Sequence, residues 1–141
     1  MMKSAIFPGS FDPITQGHEA IARRALALFD KVYIAIGVNT DKKYMFTVEE
    51  RKRKINEMFA NEERVEVVTY SGMTVDLCHR LGVRFIVRGI RDAKDLEYEQ
   101  TIAAVNHKLD PEIDTVLLLA DMEHKDISST LIREQMAHNI D

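Results

Sequence analysis

The chain has 141 residues, 45% apolar and 30% charged, a globular balance that excludes a collagen-like or disordered chain. Nineteen Lys and Arg against 23 Asp and Glu give a net charge of −4, which argues against a nucleic-acid coat but leaves room for a local basic pocket. No apolar run approaches the roughly 20 residues that span a bilayer, and the one cysteine, Cys78, supplies neither a disulfide framework nor a cysteine zinc cluster.

The opening Met1-Met2-Lys3-Ser4 runs straight into a strand pattern without a signal peptide, so the chain is expected in the cytoplasm. Ser4 to Phe7 reads as a short strand ended by Pro8-Gly9. Gly17 to Phe29 reads as a helix with Ile21, Ala25, Leu28 and Phe29 on one face. Val32 to Val38 is a continuous apolar run, the pattern of a strand buried on both faces. Thr47-Val48-Glu49-Glu50 has capping-box spacing and opens a helix carrying Ile55 and Phe59. Val65 to Thr69 is the next strand. Thr74 to Leu81 is a helix with Gly82 as its stop, and Cys78 within it reads as core packing. Val83 to Val87 is a strand, Lys94 to Leu109 a helix ended by Asp110-Pro111, and Thr115 to Leu119 a strand. Ser128 and Ser129 cap a last helix to about His138.

Strand and helix alternate, with no repeat, linker or low-complexity segment. The pattern predicts a single α/β domain over residues 1–141, Rossmann-like, with a parallel sheet and helices on both faces. Ligands of such sheets bind outside the carboxyl ends of the strands, so residues following strands matter most.

Pro8-Gly9-Ser10-Phe11-Asp12-Pro13-Ile14-Thr15-Gln16-Gly17-His18 is a shaped loop that delivers His18 into a first helical turn. Free backbone N–H groups there favour an anion, an imidazole beside them stabilises growing negative charge, and Ser10 adds a hydroxyl. The bland alternative is a turn with a surface histidine. The loop is neither a Walker A loop nor a dinucleotide fingerprint, and His18-Glu19 has no second His at zinc spacing. Arg88 and Arg91, separated by Gly89-Ile90, leave a strand end, and guanidinium forks match phosphate oxygens. His124-Lys125-Asp126-Ile127-Ser128-Ser129-Thr130 puts three hydroxyls at a helix start, suited to capping and to phosphate. Lys42 follows the second strand and meets an anion or only solvent. Arg51-Lys52-Arg53-Lys54 beside Glu49 and Glu50 reads as a solvated, ion-paired helix face. Glu99 lies about two turns into its helix and faces either the site or water.

Together, Gly9-Ser10-Phe11-Asp12-Pro13-Ile14-Thr15-x-Gly17-His18, Arg88-Gly89-Ile90-Arg91-Asp92 and Ile127-Ser128-Ser129-Thr130-x-Ile132-Arg133 resemble the nucleotidyltransferase superfamily with a His/Thr-x-Gly-His motif. Lys42-Lys43, Met45-Phe46-Thr47-x-Glu49-Glu50-Arg51 and Asp95-Leu96-Glu97-Tyr98-Glu99 look like its bacterial phosphopantetheine adenylyltransferases. The resemblance covers essentially the whole chain. It implies transfer of the adenylyl group of ATP to phosphopantetheine, with release of pyrophosphate and formation of dephospho-coenzyme A in coenzyme A synthesis. It further implies magnesium, a homohexamer, feedback by coenzyme A, and no nucleic-acid or membrane partner.

Carried over by position, His18 stabilises the transition state at the α-phosphate. Ser10 and Phe11 contact ATP, and Ser10 also the acceptor phosphate. Lys42, Thr74 and Arg88 bind phosphopantetheine, while Gly89, Ile90, Arg91, Glu99 and His124 to Thr130 line the ATP site. No protein ligand for a metal is assigned. The reaction needs no base and no covalent nucleophile, because a phosphate oxygen is already an anion; it needs positioning and charge neutralisation. Two departures stand out. Serine replaces the commoner threonine at Ser10, keeping the hydroxyl and losing a methyl. The sequence ends at Asp141, before further helical structure usual in the family. Related acceptors are nicotinate mononucleotide, flavin mononucleotide and glycerol phosphate (for cytidylyl), against which the Lys42 region and Arg88 favour phosphopantetheine. A nucleotide-binding regulatory domain without turnover is the alternative of a different class, and the retained His18, Lys42, Arg88 and Arg91 argue against it.

Overall fold

The apolar runs form one five-stranded sheet in the computed structural model, which describes residues 2–121, 133–135 and 137. The strands are β1 (Ser4–Gly9), β2 (Lys31–Gly37), β3 (Val65–Tyr70), β4 (Phe85–Ile90) and β5 (Asp114–Leu119), with α1 (Gln16–Ala25), α2 (Val48–Met58), α3 (Thr74–Leu81) and α4 (Ala93–Leu109) between them. All pairings are parallel and the order is β3-β2-β1-β4-β5, the doubly wound arrangement that the alternation predicts. Beyond β5, the described residues 133–135 and 137 are helical.

Period-two alternation sorts the core into two layers. Ala5 and Phe7 of β1 join Ile34 of β2, Ile21 and Ala22 of α1, and Ile55 and Phe59 around α2 on one face. Ile6 and Ala35 join Val75, Leu77 and Cys78 of α3 on the other. Cys78 is fully buried, and loss of hydration raises its thiol pKa to about 11. His79 of α3 contacts the Asp110 carboxylate at the end of α4, tying those helices together.

Local signals set the element ends. Thr47 caps α2, with its hydroxyl accepting from Glu50 N and the Glu50 carboxylate accepting from Thr47 N. Gly82 stops α3 in the left-handed region at φ 69°, which glycine adopts without strain. Three expectations need correction. First, β1 runs through Pro8 and Gly9, aligned with Ala35 and Ile36. The β1–β4 ladder covers only Ala5 and Ile6, so Pro8 owes β4 no N–H. Second, β4 begins at Phe85 rather than Val83, and α1 ends at Ala25, leaving Leu28 exposed in a turn while Phe29 stays buried. Third, Arg51 is not on a solvated face: it is 1% exposed, whereas Arg53 is an exposed ion pair with Glu57.

The alternation also decides what stands where β4 ends. Gly89 turns toward α1, and a Cβ there would lie 2.9 Å from Ile21 Cγ1 and 3.0 Å from Cδ1, so only glycine lets α1 rest on the strand. Gly89→Ala should destabilise by about 1–3 kcal/mol through overpacking. Urea unfolding checks this, and Ile21→Val should cost less in the Gly89→Ala background than in the wild type, because it removes a clashing methyl.

Candidate active site

Three depressions adjoin one another along the carboxyl edge of the sheet. Beside His18 lies a cleft of about 560 Å³ lined by Ser10, Phe11, His18, Gly89, Arg91 and Glu99 among others. It meets, at Ser10, a second cleft of about 600 Å³ containing Lys42, Asn39, Tyr44, Tyr70 and Gly72. A slot of about 170 Å³, with Thr74, Arg88, Glu99, Tyr98, Ile102 and Asn106, shares Tyr70 with the second cleft and Arg88 with the first. Thus Ser10, Phe11, His18, Gly89, Arg91 and Glu99 come together, as do Thr74 and Arg88, with Lys42 next door. Ile90, expected beside them, is buried and outside the lining. His124, Lys125, Asp126, Ile127, Ser128, Ser129 and Thr130 lie outside the described residues.

His18 is the third residue of α1, half-buried against the edge of Phe11, whose ring centroid is 5.0 Å away. The backbone N–H of Thr15 donates to Nδ1 at 3.0 Å, and the Thr15 hydroxyl stands 3.1 Å from the same nitrogen. An N–H only donates, so Nδ1 accepts and the ring proton resides on Nε2. Burial first, then the charges of Arg88 and Arg91, hold the imidazole pKa below its ordinary 6.5. At neutral pH the ring is therefore an uncharged Nε2–H donor, with its tautomer locked from behind. Phe11 itself sits at φ 47°, a left-handed conformation unusual for a side chain of that size.

A half-buried Arg88 and a buried Glu99 form an ion pair that the sequence pattern did not reveal. Arg88 Nε donates to both Glu99 oxygens at 3.0 and 2.9 Å, Nη2 lies 2.8 Å from Oε2, and Nη1 donates to the carbonyl of Pro8. Glu99, the one buried residue of α4, thereby orients a guanidinium whose five N–H groups exceed these contacts. Arg91 is tethered by its backbone N–H and Nε to Asp95, whose carboxyl pKa falls chiefly through that backbone bond. Asp12 lines none of the three clefts: its carboxylate accepts from Met45 N at 2.6 Å and Phe46 N at 2.8 Å.

Tyr98, Ile102 and Asn106 were missed by sequence reasoning. Their four-residue spacing on α4, beside Glu99, is the signal that finds them. Among the described residues no group of three or more His, Cys, Asp or Glu gathers to hold a metal. Glu99, Asp95 and Asp12 are already engaged, so the surplus capacity of the clefts is cationic and donor-rich. Such an arrangement suits polyanions, which it can orient and whose charge it can neutralise.

The family model described as cytidylyltransferase-like matches residues 6–135. A phosphopantetheine adenylyltransferase of Flavobacterium johnsoniae is 52% identical over 97% of this chain and 90% of its own length. One of Flavobacterium psychrophilum is 50% identical over 94% and 87%. The fold is similar to that of the Plasmodium falciparum nicotinic acid mononucleotide adenylyltransferase, with a TM-score of 0.61 at 18% identity, covering 95% of this chain and 71% of that one.

The state of His18 has a measurable consequence. The unfolded chain takes up the imidazole proton near pH 6.5 and the folded chain only lower, so this histidine's contribution to stability is complete above pH 6.5 and is lost as pH falls through the folded pKa. An NMR titration should place the His18 midpoint below 6.5, and Arg91→Ala should raise it.

Proposed function

We propose, for a chain that belongs to the cytidylyltransferase-like family and within it to the phosphopantetheine adenylyltransferases, that the adjoining clefts divide one reaction between them. The enzyme transfers the adenylyl group of ATP to phosphopantetheine, releasing pyrophosphate and forming dephospho-coenzyme A in coenzyme A biosynthesis. In our reading ATP occupies the His18 cleft, bounded by Ser10, Phe11, Gly89, Arg91 and Glu99. The acceptor phosphate lies between Lys42, Ser10 and Arg88, and its pantetheine arm follows the slot past Thr74, where Tyr98 and Ile102 offer apolar wall and Asn106 an amide. The carrying observation is the junction of the clefts at Ser10 and Arg88.

An oxygen of the acceptor phosphate attacks the α-phosphorus. The bond from that phosphorus to the β-phosphate bridge oxygen breaks, and its electron pair leaves with pyrophosphate. No proton has to move. The residues act by in-line positioning and by donating to oxygens whose charge grows. His18 suits this role: it is a neutral donor, so it stabilises developing charge without a fixed cation pulling equally on the ground state. Arg88 and Lys42 hold the attacking phosphate against its repulsion from the triphosphate. Magnesium would fit as a companion of ATP, since no group of acidic or imidazole side chains gathers among the described residues, and it would supply shielding of the triphosphate charge.

Residues 1–141 act in this reading as one nucleotidyltransferase domain in the cytoplasm. No helix among the described residues is long and apolar enough to cross a membrane. A homohexamer is the assembly we assign; the exposed apolar Val105 and Leu109 on α4 support self-association. Coenzyme A, which repeats the acceptor's arm, acts as a competing inhibitor.

Pyrophosphate release with ATP and magnesium should require phosphopantetheine, with no release for nicotinate or flavin mononucleotide. His18→Ala should lower kcat by about a hundredfold or more, with ATP affinity within about threefold. Lys42→Ala should raise the KM for phosphopantetheine and spare ATP binding. Survival of turnover in His18→Ala, or equal loss of both substrates in Lys42→Ala, contradicts these assignments.

A further inference from the structure

Arg51 stands in a run of four basic residues, yet it alone is fully buried, between two loops that each carry part of the site. Its Nη1 donates to the carbonyl of Ser10 at 2.9 Å. The guanidinium lies 4.1 Å from the ring centroid of Tyr44. Its Nε is buried with no partner. Burying a guanidinium with a donor unsatisfied is costly, and packing alone does not call for a charge here. What the arrangement achieves is connection. Ser10 belongs to the turn after β1, and Tyr44 belongs to the loop after β2 that carries Lys42. The loop is closed on itself by Asn39 N donating to the Tyr44 hydroxyl at 3.0 Å.

Asp12 makes a second connection in the same place. Both its oxygens accept backbone N–H groups of Met45 and Phe46, so the turn that bears Ser10 grips the loop that bears Lys42 from the other side. Past the strand ends, no sheet ladder joins these loops; the last β1–β2 partners are Gly9 and Ile36. Arg51 and Asp12 take over where the ladder stops.

We infer that Arg51 and Asp12 are positioning residues that fix the spacing between the Ser10–His18 side of the site and Lys42. This rests on the adenylyl-transfer reading above. Neither side chain touches substrate. Arg51 acts through the Ser10 carbonyl and the Tyr44 ring, and Asp12 through the backbone of residues 45 and 46. In-line transfer is sensitive to such spacing, since a displacement of about 1 Å can cost on the order of a hundredfold in rate.

The test is a kinetic double-mutant cycle on the full chain, with phosphopantetheine-dependent pyrophosphate release as the activity and calorimetric titration of ATP alone as the control. Arg51→Met should lower kcat about ten- to a hundredfold and raise the KM for phosphopantetheine, while ATP affinity stays within about threefold. Arg51→Lys, which keeps charge but loses the planar stack, should recover only part of the rate. Lys42→Ala should cost much less in the Arg51→Met background than in the wild type, because the lysine is already displaced. If the two losses multiply independently, or if kcat of Arg51→Met stays within threefold, the inference is overturned. Should Arg51→Met fail to fold, the same cycle with Asp12→Asn and Lys42→Ala decides by the same criterion. A wild-type chain that releases no pyrophosphate with phosphopantetheine overturns the underlying reading instead, and with it this inference.

Discussion

Strand β1 pairs with β2 along its whole length but with β4 over Ala5 and Ile6 alone, and the binding edge grows from that inequality. A central strand hydrogen-bonded on both sides to its end would present a closed rim. Here the ladder toward β4 stops early, and the backbone beyond it needs other partners. The Pro8 carbonyl takes one from the Arg88 side chain. The same two-residue periodicity that sorts Ala5 and Phe7 from Ile6 deep in the core then sorts Arg88 from Gly89 at the rim. One turns to α4 and its glutamate, the other to α1 and its isoleucine. The sheet thus delivers a held cation and a close-packed helix start to opposite sides of one opening.

Charge at that opening is arranged in depth. Glu99 supports Arg88, Asp95 supports Arg91, and His18 stays neutral between them. Three cations packed around one cavity would repel one another and loosen the rim. Two carboxylates and an uncharged ring hold the donors without that repulsion, the preorganised state that a polyanion-binding site requires.

Much of this was legible in the sequence because it rests on local rules. Continuous apolar runs marked buried strands, Thr47 with Glu50 marked a helix start, and Gly82 marked a helix end. The loop from Gly9 to His18 was legible because glycine, proline and a histidine after a strand restrict what the backbone there can do. The failures share a cause: burial of a charge is decided by partners remote in sequence. Glu99 is buried because Arg88 meets it across the α4 face, and Arg51 because a turn 41 residues away offers it a carbonyl. Neither partner leaves a mark on local periodicity. Pro8 misled for a related reason, since its missing donor matters only if a neighbouring strand asks for it.

Cys78 carries a consequence for handling a substrate that ends in a thiol. Thiol–disulfide exchange proceeds through the thiolate, and the rate follows thiolate fraction and access. Cys78 is fully buried, its pKa stands near 11, and it is the chain's only cysteine. Phosphopantetheine that has oxidised to its disulfide therefore finds no sulfur on the folded enzyme to attack it. The folded protein is not trapped as a mixed disulfide by its own substrate through Cys78, nor do two folded chains crosslink there, so thiol–disulfide chemistry stays with the small molecule.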